Sequence, residues 1–151
     1  TLAPLTAVQD SKAAFEKLSN EKNDYSLFVD LSYSPPAIVY LNERAVLNVP
    51  NNNYLNAWSE DYCLYGGKEN KTIYGGCLYL NNIENLIKKY LSSEKPNVIY
   101  FLFENNELRF RHIDGETKIS LETLNSLLKS NNYTNETFIQ SENMTLVGFK
   151  K

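Results

Sequence analysis

The sequence has few of the residues on which nucleic-acid binding and metal binding depend. Three arginines and one histidine occur in 151 residues, and the 18 acidic side chains outnumber the 15 basic ones. The formal net charge of −3 argues against non-specific nucleic-acid binding and against a basic membrane-binding patch. No apolar run approaches the roughly 18 residues that span a bilayer, so we expect no membrane insertion by this segment.

The motifs of the common cofactor and metal sites are also absent. The two cysteines are not in a CxxC arrangement, and with a single histidine they do not form a zinc ligand set. A GxGxxG fingerprint, a P-loop, an HExxH motif and an EF-hand loop are all missing. We therefore expect neither a cofactor nor a metal.

The length bounds the domain organisation. A chain of 151 residues suits one domain and is too short for two independent cores, and no low-complexity linker divides it. The pattern of apolar residues predicts a single α+β domain over residues 1–151, with a mixed or antiparallel sheet built from hairpins. We expect about eight short strands and three helices.

The individual elements follow from periodicity and turn signals. Helical spacing of apolar residues predicts helices at residues 6–18 and 83–91 and from Ser120 onwards, with Asn81 as the cap of the second. Continuous or alternating apolar runs predict one strand at 25–31. They also predict hairpins at 37–41 with 45–49, 98–103 with 108–113, and 138–139 with 145–149.

The two cysteines lie in a segment that is nearly a mirror image of itself about Asn70. Cys63 falls opposite Cys77, and a pair of glycines flanks each side of the polar tip at residues 68–72. This layout predicts a hairpin over residues 61–80, pinned by a Cys63–Cys77 disulfide, with glycines that permit bulges. A disulfide implies an extracytoplasmic location, whether periplasmic, secreted or lumenal. The alternative is two buried, reduced thiols in a cytosolic protein.

Aromatic residues gather around these cysteines. Residues 48–82 hold five of the 11 tyrosines and the only tryptophan, together with eight asparagines and four glycines. Protein-recognition loops favour these residue types, which combine rigid amphipathic area with adaptable hydrogen bonding. The segment is therefore a candidate binding surface, with the alternative that its aromatics complete the core. The candidates are Tyr54, Trp58, Tyr62, Tyr65, Tyr74 and Tyr79.

Catalytic candidates are few. His112 lies on an alternating strand two residues before Asp114, so a His–Asp pair is geometrically possible, although such a histidine is more often structural. The carboxylate pair Glu104 and Glu107 lies beside a turn, where solvated acids are expected. Arg109 and Arg111 point to the opposite strand face from His112, either as an anion-binding or partner patch or as a solvated edge.

Part of the chain resembles the thioredoxin fold. Residues 28–35, FVDLSYSP, resemble the strand that leads to the redox motif of that family. Pro96, followed by a hairpin and the helix at 120–130, is similar to its closing ββα unit. Ser32, Tyr33 and Ser34 stand where the family has its cysteines. The resemblance covers about a third of the chain and implies a degenerate thioredoxin-like α/β alternative without thiol redox activity.

These patterns lead to one functional expectation and two alternatives. We expect an exported, non-enzymatic domain that binds another protein through residues 54–79. We expect it to belong to a membrane-anchored assembly, secretion or signalling system, and to be associated with virulence. The first alternative is a degenerate thioredoxin-fold protein or other small enzyme that uses His112 and Asp114. The second is a binder of a small ligand or glycan through the same aromatic surface.

Overall fold

The computed structural model describes residues 12–33, 65–68, 71–73, 82–112 and 115–151. In these residues the predicted α+β class is confirmed, with three helices, a six-stranded sheet and a separate two-stranded sheet. The elements are α1 (residues 12–19), β1 (Ser26–Val29), a 3-10 turn (Leu31–Tyr33), β2 (Tyr65–Lys68), β3 (Lys71–Ile73), α2 (Ile83–Ser93), β4 (Val98–Glu104), β5 (Glu107–His112), β6 (Gly115–Ser120), α3 (Leu121–Ser130), β7 (Thr134–Ser141) and β8 (Met144–Lys150).

Strand β4 is the centre of the large sheet. Along one side it pairs with β8 over its whole length, from Val98 with Lys150 to Glu104 with Met144. On the other side β1 runs parallel to it, from Ser26 opposite Ile99 to Val29 opposite Leu102. Strand β5 pairs with β4 only at the turn, where Glu104 meets Glu107. The sheet therefore contains both parallel and antiparallel pairs. Beyond the turn β5 separates from β4, and β1 pairs with β4 there instead.

The core lies on both faces of this sheet. Because side chains alternate along a strand, each central strand supplies apolar residues to both sides. One face packs against α2 and α3, and its buried side chains include Phe28, Phe101 and Val147. The other packs against α1, whose buried Ala14, Phe15 and Leu18 contact residues such as Leu27, Tyr100 and Leu146.

Helix α2 has the apolar stripe that the sequence predicts. Its buried residues are Ile83, Leu86, Ile87, Tyr90 and Leu91, which share one face of the helix. The N-cap, however, is Asn82 and not Asn81, because the Asn82 side chain accepts a hydrogen bond from the N–H of Asn85 at 3.0 Å.

Two-residue turns connect β4 to β5 and β7 to β8. Asn105 and Asn106 have φ angles of 50° and 62°, the left-handed pair that a tight β-hairpin turn requires. Glu142, with φ 38°, begins the corresponding turn between β7 and β8. The two turns are adjacent, since the N–H of Asn105 donates to the carbonyl of Asn143 at 2.7 Å. The carboxyl end of β4 is thus held from both sides.

The other predicted elements differ mainly at their ends. Ser120 caps α3 as predicted, its hydroxyl accepting from the N–H of Thr123. Strand β7 begins at Thr134, four residues before the predicted strand at 138–139, because pairing with β8 orders these exposed residues despite their polar composition. The predicted hairpin at 37–49 lies outside the described residues.

Strands β2 and β3 form an antiparallel hairpin inside the segment predicted to contain one. Lys68 pairs with Lys71, and a register shift occurs between Tyr65 and Gly67. The shift leaves one extra residue, Gly66, on β2, which is the arrangement of a β-bulge. The register differs from the mirror about Asn70, which would pair Lys68 with Thr72. β2 ends at Lys68 and β3 begins at Lys71, so both strands extend into the tip expected at residues 68–72.

Gly148 gives a direct test of the packing beside β4. It lies opposite Tyr100, and a Cβ at this position would be 2.5 Å from Cε1 of the Tyr100 ring and 2.9 Å from Cβ of Thr137. We predict that Gly148→Ala lowers the free energy of unfolding by about 2 kcal/mol, because the buried ring has to shift. Urea denaturation measures the change.

The matched control is Gln140→Ala on the neighbouring strand, where the side chain is exposed. It should change stability by less than about 0.5 kcal/mol. Equal stability of Gly148→Ala and the native chain would show that Tyr100 does not pack on Gly148 as described.

Candidate functional site

Asp30 lies at the point where β5 separates from β4. Its backbone N–H donates to the carbonyl of Leu102 at 2.9 Å, which continues the contact of β1 with β4 by one residue. The residue is fully buried. Since a buried carboxylate is costly unless it is paired and hydrogen-bonded, the partners of Asp30 decide what this position does.

The Asp30 carboxylate uses both of its oxygens within the protein. Oδ1 accepts from the backbone N–H of Arg109 at 2.7 Å and from its Nε at 3.0 Å. Oδ2 accepts from Nη2 of Arg109 at 2.7 Å and from the backbone N–H of Ser32 at 3.0 Å. This bidentate pair gives the backbone N–H of Arg109 an acceptor. Without it, that N–H would lack a partner where β5 separates from β4.

Arg109 is held firmly by the same contacts. Its Nη2 also donates to Oγ of Ser32 at 2.8 Å, and its side chain remains 24% exposed. The hydrogen bonds to Asp30 raise the pKa of Arg109 despite partial burial, and the charges of Asp30, Glu116 and Glu104 add to this shift. The sequence places Arg109 on a solvated strand face or in an anion-binding patch. The structure instead shows an internal ion pair, because β5 diverges towards the end of β1.

Tyr33 and Glu104 complete the arrangement. Tyr33 ends the 3-10 turn, is fully buried, and donates its hydroxyl proton to Oε2 of Glu104. Glu107 pairs instead with Lys118 at 3.3 Å. The two carboxylates therefore have separate partners and do not form an acid–base pair. We call Asp30, Ser32, Tyr33, Glu104 and Arg109 the fork cluster.

The fork cluster lies where a long connection leaves the sheet. β1 and β4 are parallel, so their carboxyl ends lie at the same end of the sheet. The crossover from β1 to β4 has to return along α2 to the other end, where β4 begins. The connection departs after Tyr33 and returns at Asn82, where the N–H of Ile83 donates to Oγ1 of Thr117 in β6 at 3.0 Å. The connection therefore departs beside β5, which Asp30 contacts through Arg109, and returns beside the neighbouring strand β6.

These contacts define what the fork cluster can do. Each Asp30 oxygen accepts two hydrogen bonds from the protein, which makes the carboxylate a poor general base and a good anchor. Among the described side chains, no three His, Cys, Asp or Glu residues converge in an arrangement that could hold a metal. The cluster fixes the residues from which the connection departs.

A second polar feature lies at the opposite end of the strands. A cavity of about 160 Å³ is lined by Lys17, Glu21, Asn23, Val98, Tyr100, Glu136, Thr137, Gly148, Phe149 and Lys150. Inside it the Tyr100 hydroxyl donates to Oε2 of Glu21 at 2.6 Å. Burial raises the pKa of Tyr100 well above its ordinary value of 10.0, and the Glu21 carboxylate adds to the effect. This pair ties the segment after α1 to the sheet.

The residues predicted as site residues fall mostly outside the described part of the chain. Tyr65 begins β2, and His112 ends β5 with its backbone paired to Gly115. These two described residues belong to different sheets, and both the binding surface and the Cys63–Cys77 disulfide stay predictions. The candidates outside the described residues are Tyr54, Trp58, Tyr62, Cys63, Tyr74, Cys77, Tyr79 and Asp114.

Sequence reasoning missed the fork cluster. The available signal is Asp30 itself, a single carboxylate within the strand that the sequence predicts at 25–31. Its partner, Arg109, is distant in sequence, and the divergence of β5 that joins them is a property of the sheet topology.

Comparisons with known proteins leave the chain without an assigned family. No protein-family model, curated protein or solved structure matches it. The resemblance to thioredoxin therefore remains a prediction. Among the described residues, no helix is long and apolar enough to cross a membrane.

The fork cluster makes a strong prediction about stability. Asp30→Ala should lower the free energy of unfolding by about 3 kcal/mol, because it leaves the Arg109 guanidinium and its backbone N–H without their acceptor. Urea denaturation measures the loss. Glu107→Ala is the control, since it breaks an ion pair between side chains that are 40% and 59% exposed. It should cost less than about 1 kcal/mol. Equal losses in the two variants would contradict the role given to Asp30.

The Glu21–Tyr100 pair predicts a dependence on pH. Burial alone would raise the pKa of Glu21, but hydrogen bonds from Tyr100 and Asn23 and the charge of Lys17 lower it overall. A carboxylate with a depressed folded-state pKa stabilises the fold above its unfolded pKa, and this stabilisation is lost as the pH falls through the folded pKa. Glu21→Gln should therefore lose less stability than the native chain between pH 7 and pH 3, measured by urea denaturation.

Tyr100→Phe keeps the carboxylate and removes its hydroxyl donor, so it should also weaken the acid dependence. An unchanged loss of stability on acidification in both variants would refute the assignment.

Proposed function

We propose that this chain is a partner-binding domain that presents residues 34–81 from the carboxyl edge of its sheet to another protein. The single observation that carries the proposal is that both ends of this connection are fixed to neighbouring strands of the sheet, to β5 by the fork cluster and to β6 by the Ile83–Thr117 hydrogen bond. Connections much longer than about 15 residues within a compact domain are usually functional.

The edge itself suits a binding role. In sheets with parallel crossovers, ligands bind beyond the carboxyl ends of the strands, where the connecting loops gather. The connection contains a hairpin of its own, β2–β3, which is separate from the large sheet in the described residues. An isolated two-stranded hairpin is marginally stable, so contact with other groups adds to its stability.

Composition indicates the chemistry of the partner surface. The connection carries the excess of tyrosine and the only tryptophan, which favour protein interfaces over binding of a small charged ligand. The proposed contact residues are those of the sequence analysis, with Trp58 and Tyr65 as the first to test. The proposal includes an extracytoplasmic location, which rests on the expected Cys63–Cys77 disulfide, and membership of an anchored assembly, secretion or signalling system.

The test is capture of the partner with site resolution. The full chain is incubated with extract of its source cells, crosslinked, and the products are quantified by mass spectrometry. We predict that crosslinks map to residues 54–79. We also predict that the combined substitution Trp58→Ala with Tyr65→Ala lowers recovery of the partner at least tenfold, because aromatic anchors dominate such interfaces.

Phe138→Ala is the matched control, since it removes an exposed aromatic side chain from the large sheet. It should leave recovery unchanged. Full recovery with the double variant, or crosslinks confined to other surfaces, would contradict the proposal.

Alkylation of the unreduced, unfolded chain tests the compartment: a disulfide predicts no added mass, whereas two added alkyl groups would contradict an oxidising location.

A further inference from the structure

The cavity beside Tyr100 lies at the end of the sheet opposite the fork cluster, between the segment that follows α1 and the strands β4, β7 and β8. A cavity of about 150 Å³ holds a benzene ring, so this one, at about 160 Å³, has room for one six-membered ring. Lining side chains such as Lys17 and Glu136 are exposed, so the cavity opens to solvent and the substituents of a bound ring can remain in water.

Hydrogen bonds within the chain hold the inner wall of the cavity in one arrangement. Oε2 of Glu21 accepts from the hydroxyl of the buried Tyr100 at 2.6 Å. Oε1 of Glu21 accepts from the backbone N–H and from the side-chain amide of Asn23, at 3.0 Å and 3.1 Å. No described residue donates to the side-chain carbonyl of Asn23, which therefore remains available as an acceptor. Groups fixed in this way lose little freedom when a ligand binds.

The charges around the cavity balance. Lys17 and Glu21 come from α1 and the segment after it, whereas Glu136 comes from the bulge of β7 and Lys150 from the paired strand β8. None of these four side chains forms an ion-pair contact within the part of the chain that the structure describes. Each side of the cavity thus carries one ammonium and one carboxylate. A ligand with a net charge of either sign would meet a repelling group on both sides.

We propose that this cavity binds a neutral, polyhydroxylated ring of the size of a hexose. A hydroxyl group both donates and accepts, so the hydroxyls of such a ring can donate to the two carboxylates and accept from the two ammonium groups. Hydrogen bonds in which one partner is charged are roughly twice as strong as neutral ones. A small zwitterion fits less well, because it needs its two charges recognised on separate sides, and here each side carries both signs.

The affinity for such a ring should be low. A hexose has about 12 non-hydrogen atoms, and the binding free energy per atom that is typical of small ligands gives a dissociation constant on the order of 10⁻³ M. The cavity is at the opposite end of the strands from the departure of the connection at residues 34–81. Binding of a sugar here therefore stands independently of the proposed protein partner.

Amide chemical shifts of the full chain, measured by NMR during titration with D-glucose, D-galactose and D-mannose up to about 100 mM, test the proposal. At least one sugar should bind with the expected affinity and shift the amides of Asn23, Thr137 and Gly148, while the amide of Arg109 in the fork cluster stays in place. The uronate and the 2-amino form of the best-binding sugar add a negative or a positive charge to the same ring. Each should bind at least threefold more weakly than the neutral sugar.

Exposed charges allow matched variants that leave the core intact. Glu136→Ala and Lys150→Ala should each weaken binding at least fivefold, because each removes one charged hydrogen-bonding group from the cavity. Glu122→Ala and Lys129→Ala make the same charge changes at exposed positions of α3 and should leave binding unchanged. Absence of shifts with all three sugars at 100 mM overturns the proposal. Equal or tighter binding of either charged derivative, or full binding by both cavity variants, overturns it as well.

Discussion

The buried ion pair between Asp30 and Arg109 allows one sheet to hold a parallel strand between two strands of a hairpin. β4 and β5 are joined by a two-residue turn, yet they pair at a single position, and β1 occupies the edge that β5 leaves. Separation of two hairpin strands removes hydrogen bonds, and an unsatisfied N–H inside a protein is costly. The Asp30 carboxylate supplies the missing acceptor at Arg109, and its charge is balanced by the same residue.

The same carboxylate links architecture to the proposed binding role. The connection at residues 34–81 leaves the sheet immediately after the residues that Asp30 holds, and Tyr33 fixes its departure through Glu104. A rigid origin reduces the conformational freedom that a recognition segment loses on binding. A buried ion pair in which each Asp30 oxygen accepts two hydrogen bonds is well suited to this role. Its hydrogen bonds fix one arrangement of the backbone, even where apolar residues would stabilise the fold equally well.

Local patterns predicted much of the fold. The stripe from Ile83 to Leu91 defines α2, and the apolar runs define β4 and β8. The turns were harder to predict, because the chain has only six glycines and places asparagine at several turn positions where glycine is common. Asn105, Asn106 and Asn132 all have positive φ, which asparagine tolerates better than most residues. These three asparagines therefore have a structural use in turns.

The fork cluster was beyond prediction from pattern. Its charged partners, Asp30 and Arg109, are separated by 79 residues in sequence, and the pairing of β1 with β4 brings them together. The expected placement of Arg109 on an outer strand face assumed a regular hairpin, in which β5 would stay beside β4. The candidate binding residues at 54–79 rest on composition alone, which identifies residue types suited to recognition and says nothing of their arrangement.

Native-state hydrogen exchange of the Arg109 amide tests the account most directly. If Asp30 holds this N–H as described, the amide opens only with global unfolding, at the same free energy as the amides of β4. The Asp30→Asn chain should then show faster exchange at Arg109 than at β4. Exchange of the native Arg109 amide at the rate of an exposed turn residue such as Asn106 would contradict the central role of the ion pair.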